Sequence, residues 1–182
     1  MDKTIVRFFV LWAMKASAST ADTRRSWDEA FALYGRSEDG ATRAGLSEEV
    51  AEYDADLGTA HDAPIVAALV RGRCAILASD EAARAAQGAI IADKLRDTFA
   101  YAAGLYFKRL SLGSGDRVQL AEGGAWFNIV ERWMRANGKG AEADAVRGWL
   151  DPLLADESRT PDTAGATAAL NAMKAAFSLT RL

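Results

Sequence analysis

The run from Ser79 to Leu110, SDEAARAAQGAIIADKLRDTFAYAAGLYFKRL, decides the fold class. It carries no proline, Ser79 and Asp80 offer side-chain oxygens at its start, and Gly113-Ser114-Gly115-Asp116 form a turn beyond its end. The spacing predicts the longest helix of the chain, over about residues 80 to 110.

Working towards the N-terminus, Asp62 is placed to cap a helix from Ala63 to Ala78, with Pro64 in the first turn, where no intrahelical N–H is needed. Before it lies an irregular connection, residues 36–62, punctuated by Gly40, Gly45 and Gly58, with a short acidic helix predicted from Ser47 to Asp56. Trp27, Ala30, Phe31 and Tyr34 recur at core spacing in a helix over 21–34 that stops at Gly35. Ile5, Phe9, Trp12, Ala13 and Ala16 share one face of an opening helix whose other side holds Lys3, Arg7 and Lys15.

Towards the C-terminus, the pattern predicts helices over 116–137, 141–150 and 161–177, with a stop at Asn137-Gly138 and a break at Asp151-Pro152. No segment alternates like a strand, and no repeat of 20 to 50 residues is visible. The expectation is an all-α protein, an irregular antiparallel bundle of about six to seven helices forming a single domain over 1–182. The 36–62 connection is long enough to be a candidate functional surface.

Composition supports helix and removes several functions. The chain has 182 residues, three of them proline and 39 alanine. Its 22 basic residues against 25 acidic give a net charge of -3, so no cationic surplus exists to neutralise phosphates and nucleic acid is not an expected partner. One cysteine, Cys74, excludes an internal disulfide and reads as a small core residue. One histidine, His61, excludes the His pairs of common zinc sites and reads as a surface or capping residue. The longest apolar run is Phe8 to Met14, far short of the roughly 20 residues of a spanning helix, so no transmembrane segment is expected.

Several helices place a charge where apolar residues belong. Arg73 falls about 40° from Leu69 on the wheel, within the arc of Ile65, Val66, Leu69 and Ile76. It is expected to be buried and paired with a carboxylate of another helix, Glu122 or Asp28, because a guanidinium keeps its proton at accessible pH. Glu122 lies one turn before Trp126, Asp28 lies beside Trp27, Phe31 and Tyr34, and Lys94 lies between Ile90, Tyr101 and Leu105. Facing charges of this kind build either an internal salt-bridge network or a ligand site. The candidate ligand-binding set is therefore Asp28, Arg73, Glu122, Lys94, Trp27, Tyr34 and Trp126, with Asp28 and Glu122 as oxygen ligands for a metal. Gly123-Gly124 in mid-helix predicts a close helix approach. Paired carboxylates such as Glu48-Glu49 and Asp54-Asp56 read as a solvated face. No His-Glu-x-x-His, Gly-x-Ser-x-Gly or phosphate loop is present, so no catalytic residue is assigned.

The segments Asp2 to Phe9, Trp27 to Gly35, Arg71 to Ile76 and Ala121 to Phe127 resemble the algal periplasmic iron-assimilation proteins induced by low iron. They also resemble bacterial extracytoplasmic helical proteins of the imelysin-like kind. The resemblance implies a periplasmic or secreted, all-helical, non-catalytic protein with iron as the expected cofactor. The short length and the lack of a convincing signal peptide set this chain apart from those proteins and suggest a fragment, a processed domain or a reduced relative, with another domain of a longer parent as an expected partner. The Gly-x-His-x-x-Glu pattern of imelysin-like proteins is absent, since Gly58 stands three residues before His61 and Pro64 three after it. The alternative reading is a structural or interaction module whose internal charges fix helix register, and an enzyme of hydrolase type is a third and less favoured reading.

Overall fold

The computed structural model describes residues 14, 15, 18, 23–37 and 41–182. The opening helix with Ile5, Phe9, Trp12, Ala13 and Ala16 therefore lies outside the described residues. Among those described, the fold is all-α with seven helices: α1 Thr23–Tyr34, α2 Leu46–Leu57, α3 Asp62–Leu77, α4 Glu81–Ser111, α5 Arg117–Ala136, α6 Gly140–Ala155 and α7 Thr163–Phe177. The chain divides into two compact units, Met1–Thr98 and Phe99–Leu182, and α4 contributes residues to each.

In the first unit, α1, α2 and α3 pack on one another. Trp27 of α1 is 1% exposed, and its indole occupies the space over α3 that a side chain on Gly72 would fill. The indole Nε1 donates to the Leu69 carbonyl at 2.8 Å. The buried face of α3 is Ile65, Ala68, Leu69, Gly72 and Ala75, rotated by roughly 60° from the arc expected from the large apolar residues alone. Small residues win the interface because they let α1 approach, and the rotation leaves Arg73, Cys74 and Leu77 exposed. The expected burial of Arg73 and the expected core position of Cys74 are both corrected on this ground.

α1 ends at Gly35, φ +75°, where a Cβ would stand 2.1 Å from the Ala44 carbonyl oxygen. That close approach closes a short hairpin: Ala44 N–H donates to Gly35 O at 2.8 Å, and Arg36 pairs with Arg43 in an antiparallel bridge. The buried Ser47 hydroxyl shares its proton between the carbonyls of Gly35 and Ala44, at 3.0 and 3.1 Å.

The second unit is built by α5, α6, α7 and the end of α4. Phe99 stacks on Trp126 at 4.8 Å, Phe107 meets Trp149 edge-on at 5.5 Å, and Trp133 stacks on Phe177 at 5.0 Å. The double glycine serves two neighbours, as a close approach requires. A Cβ on Gly123 would meet Phe107 of α4 at 2.9 Å, and one on Gly124 would meet Leu150 of α6 at 3.2 Å.

The break expected at Asp151-Pro152 does not occur, because α6 runs through Pro152 to Ala155. Leu153 is buried beyond the proline, and Arg117 donates to the Leu153 and Arg159 carbonyls at 2.9 and 2.8 Å, which secures the last turn. Tertiary contacts here outweigh the lost backbone bond. Among the described residues, no helix is long and apolar enough to cross a membrane.

Candidate functional site

The polar groups buried in the first unit gather where the hairpin, α2, the 58–61 turn and α4 meet the start of α3. Asp62, 6% exposed, is the centre. Its Oδ1 accepts from the Tyr34 hydroxyl at 2.7 Å, and its Oδ2 accepts from Arg43 Nη2 at 3.1 Å. Arg36 Nη1 lies 3.0 Å from the same Oδ2, an ion pair between side chains that are 13% and 8% exposed. The contact is out of line for a hydrogen bond, so Arg36 Nη1 and Nε are buried without an acceptor. The bridge between Arg36 and Arg43 explains why two cations converge on one carboxylate, since directly paired residues project to the same face of a hairpin.

Asp62 thus spends its carboxylate on other elements and does not cap α3. The cap comes from α2: Asp54 accepts the backbone N–H of His61 at 2.8 Å and of Asp62 at 2.9 Å, together with the Thr59 hydroxyl at 2.7 Å. A negative side chain at these free N–H groups is favoured by the helix dipole. His61, expected at the surface, is 8% exposed, with Nδ1 3.0 Å from the Thr98 hydroxyl and 3.6 Å from Asp54. Thr98 donates its own proton to the Lys94 carbonyl at 2.8 Å. Burial, followed by the Asp62 hydrogen bond and its charge, pushes the Tyr34 phenol far above the usual tyrosine range. The phenol is therefore a fixed donor.

The residues singled out from sequence fare unevenly. Tyr34 enters the cluster through its hydroxyl, and Lys94 enters it through its backbone carbonyl. Trp27 and Trp126 are core residues, 1% and 0% exposed, so neither presents a ring to a ligand. Arg73 does face Asp28, but at 4.0 Å with side chains 48% and 53% exposed, a surface contact in place of the expected buried pair. Glu122 is half-buried on α5 in the second unit, whereas Asp28 belongs to the first. Among the described residues, no three His, Cys, Asp or Glu side chains come together as a metal site. The segment read as solvated is partly interior, with Glu49 7% exposed and the Asp54 side chain 14%.

Sequence reasoning missed Arg36, Arg43 and Asp54. The available signal was a hairpin-like spacing around Gly40 between two arginines, and a carboxylate shortly before a helix start. Neither shows its partner without the fold.

The family model described as Domain of unknown function (DUF4856) matches residues 14–119, which is 106 of the 182 residues, and the chain belongs to that family. No curated protein and no solved structure matches it.

Proposed function

We propose that this DUF4856 member is a non-catalytic, extracytoplasmic helical binding domain that takes a small ligand at the Asp62 cluster. The observation that carries the reading is the Arg36 guanidinium, held inside the unit with its Nε lacking an acceptor among the described residues and its Nη1 in a poorly aligned ion pair with Asp62, while Arg43 beside it is half-exposed. Buried donors are nearly always satisfied, and an exception calls for an explanation, a bound group among them. The association with iron and the extracytoplasmic location rest on the resemblance described above.

The test is calorimetric titration of the full chain with iron(II) chloride and with a panel of small organic acids, amines and sugars. Saturable heat that is lost in Asp62→Asn, with helicity retained, supports the reading. A second reading, a structural or interaction module, is favoured by the charge balance of the cluster, in which Arg36 and Arg43 stand against Asp54 and Asp62. Absence of saturable heat from every compound would select it.

A further inference from the structure

We infer that the ligand of the Asp62 cluster is a small oxyanion, a carboxylate- or phosphate-bearing molecule received by Arg36 and Arg43, and not a bare metal cation. The inference rests on the binding reading above and deepens it. It follows from matching donors to acceptors. Both oxygens of Asp62 are committed, one to Tyr34 and the other to Arg43 with Arg36 alongside. Both oxygens of Asp54 are committed to Thr59 and to the N–H groups of His61 and Asp62. An incoming cation would have to displace these donors and sit beside two guanidiniums, which repel it.

Among the described residues of the cluster, donors in contrast exceed acceptors. Each guanidinium carries five N–H bonds and can accept none, yet the pair shares one carboxylate oxygen. Arg43 reaches solvent for its remaining donors, being 49% exposed. Arg36, at 13%, has a buried Nε with no hydrogen-bond acceptor among the described residues, and its buried Nη1 has only the poorly aligned ion-pair contact with Asp62. The cross-strand bridge aims both side chains from one face of the hairpin, so an oxyanion entering on the Arg43 side meets both guanidiniums and supplies what Arg36 lacks.

The experiment is titration calorimetry of the full chain at constant ionic strength, set with sodium chloride, using sodium phosphate, sodium succinate, magnesium chloride and anaerobic iron(II) chloride as separate probes. Wild type should bind phosphate or succinate saturably, and the better of the two identifies the oxyanion. Arg43→Gln alters a half-exposed side chain and should keep the fold while weakening that affinity at least tenfold. Arg36→Lys keeps the charge and should also weaken it, since an ammonium lacks the guanidinium's fixed donor geometry. Binding of a metal chloride with no response to either oxyanion would overturn the oxyanion assignment and leave the binding reading standing. Silence from all four probes would overturn the oxyanion assignment and leave the binding reading to the wider panel, and oxyanion binding unchanged in Arg43→Gln and Arg36→Lys would overturn the placement.

Discussion

Replacing Gly72 by alanine tests the packing that positions the first unit. Alanine in a helix interior is worth about 1 kcal/mol over glycine, so from local propensity alone Gly72→Ala stabilises α3. The tertiary structure reverses the sign. The new methyl would stand 1.8 Å from Cζ2 of Trp27 and 2.4 Å from Cη2, and this obstacle is a rigid ring buried to 1% exposure with no flexible end to give way. Overpacking of this kind costs about 1 to 3 kcal/mol. Moving the ring also breaks the 2.8 Å bond from Nε1 to Leu69 O and strands a buried donor, adding about 1 to 3 kcal/mol. After subtracting the propensity gain, the expected net loss is about 3 kcal/mol, measured as the change in urea midpoint by circular dichroism. Gly148→Ala is the control, because nothing lies within 4 Å of a Cβ there, and it should stabilise by up to about 1 kcal/mol. Trp27→Phe removes the benzo ring in the way, so the Gly72→Ala, Trp27→Phe double variant should lose less than the sum of the two single changes. Equal stabilisation by Gly72→Ala and Gly148→Ala would refute the reasoning.

Four further outcomes follow from particular contacts. Asp62→Asn leaves Arg36 as a largely buried charge without its counterion and should destabilise by about 3 kcal/mol in urea unfolding. Arg73→Met, aligned with an exposed partner at the 4.0 Å limit, should change stability by less than about 1 kcal/mol in the same assay. The Tyr34 phenol is raised in the folded chain, chiefly by burial, so its contribution is complete below the ordinary tyrosine value of about 10 and is lost as pH climbs above it. The wild-type urea midpoint should fall between pH 9 and 11 (about one unit either side of that value) more steeply than that of Tyr34→Phe. In the second unit, the Arg147 hydrogen bond holds the Glu131 carboxyl below the usual glutamate range. Its contribution is present above about pH 4.3 and lost as pH falls through the lowered value, and Glu131→Gln should remove that part of the acid limb of thermal unfolding.

The helices were legible in the sequence because their signals are local. Gly35 and Gly58 end α1 and α2 in the left-handed conformation that only glycine adopts cheaply, and Asp116 caps α5 by accepting from Gln119 N–H at 3.0 Å. Apolar periodicity then marked each segment between such signals. Local rules failed where distant groups outweighed them. Pro152 should have ended α6, but burial of Leu153 and the grip of Arg117 on its carbonyl carry the helix on. Asp62 was in position to cap its own helix, but Tyr34, 28 residues earlier, and the two hairpin arginines claim its carboxylate, and Asp54 caps in its place.

The face that α3 buries was likewise settled by another helix. A periodicity weighted by side-chain size turns Leu77 and Arg73 inward, whereas the indole of Trp27 requires the smooth surface of Gly72 and turns both outward. What the sequence by itself determined is where the chain coils, since those free energies depend on residues within a turn of one another. Which charges meet inside the first unit was decided only by the tertiary structure. A buried carboxylate takes whichever donors the packed backbones bring within 3 Å or so, and those lie on segments no local pattern connects.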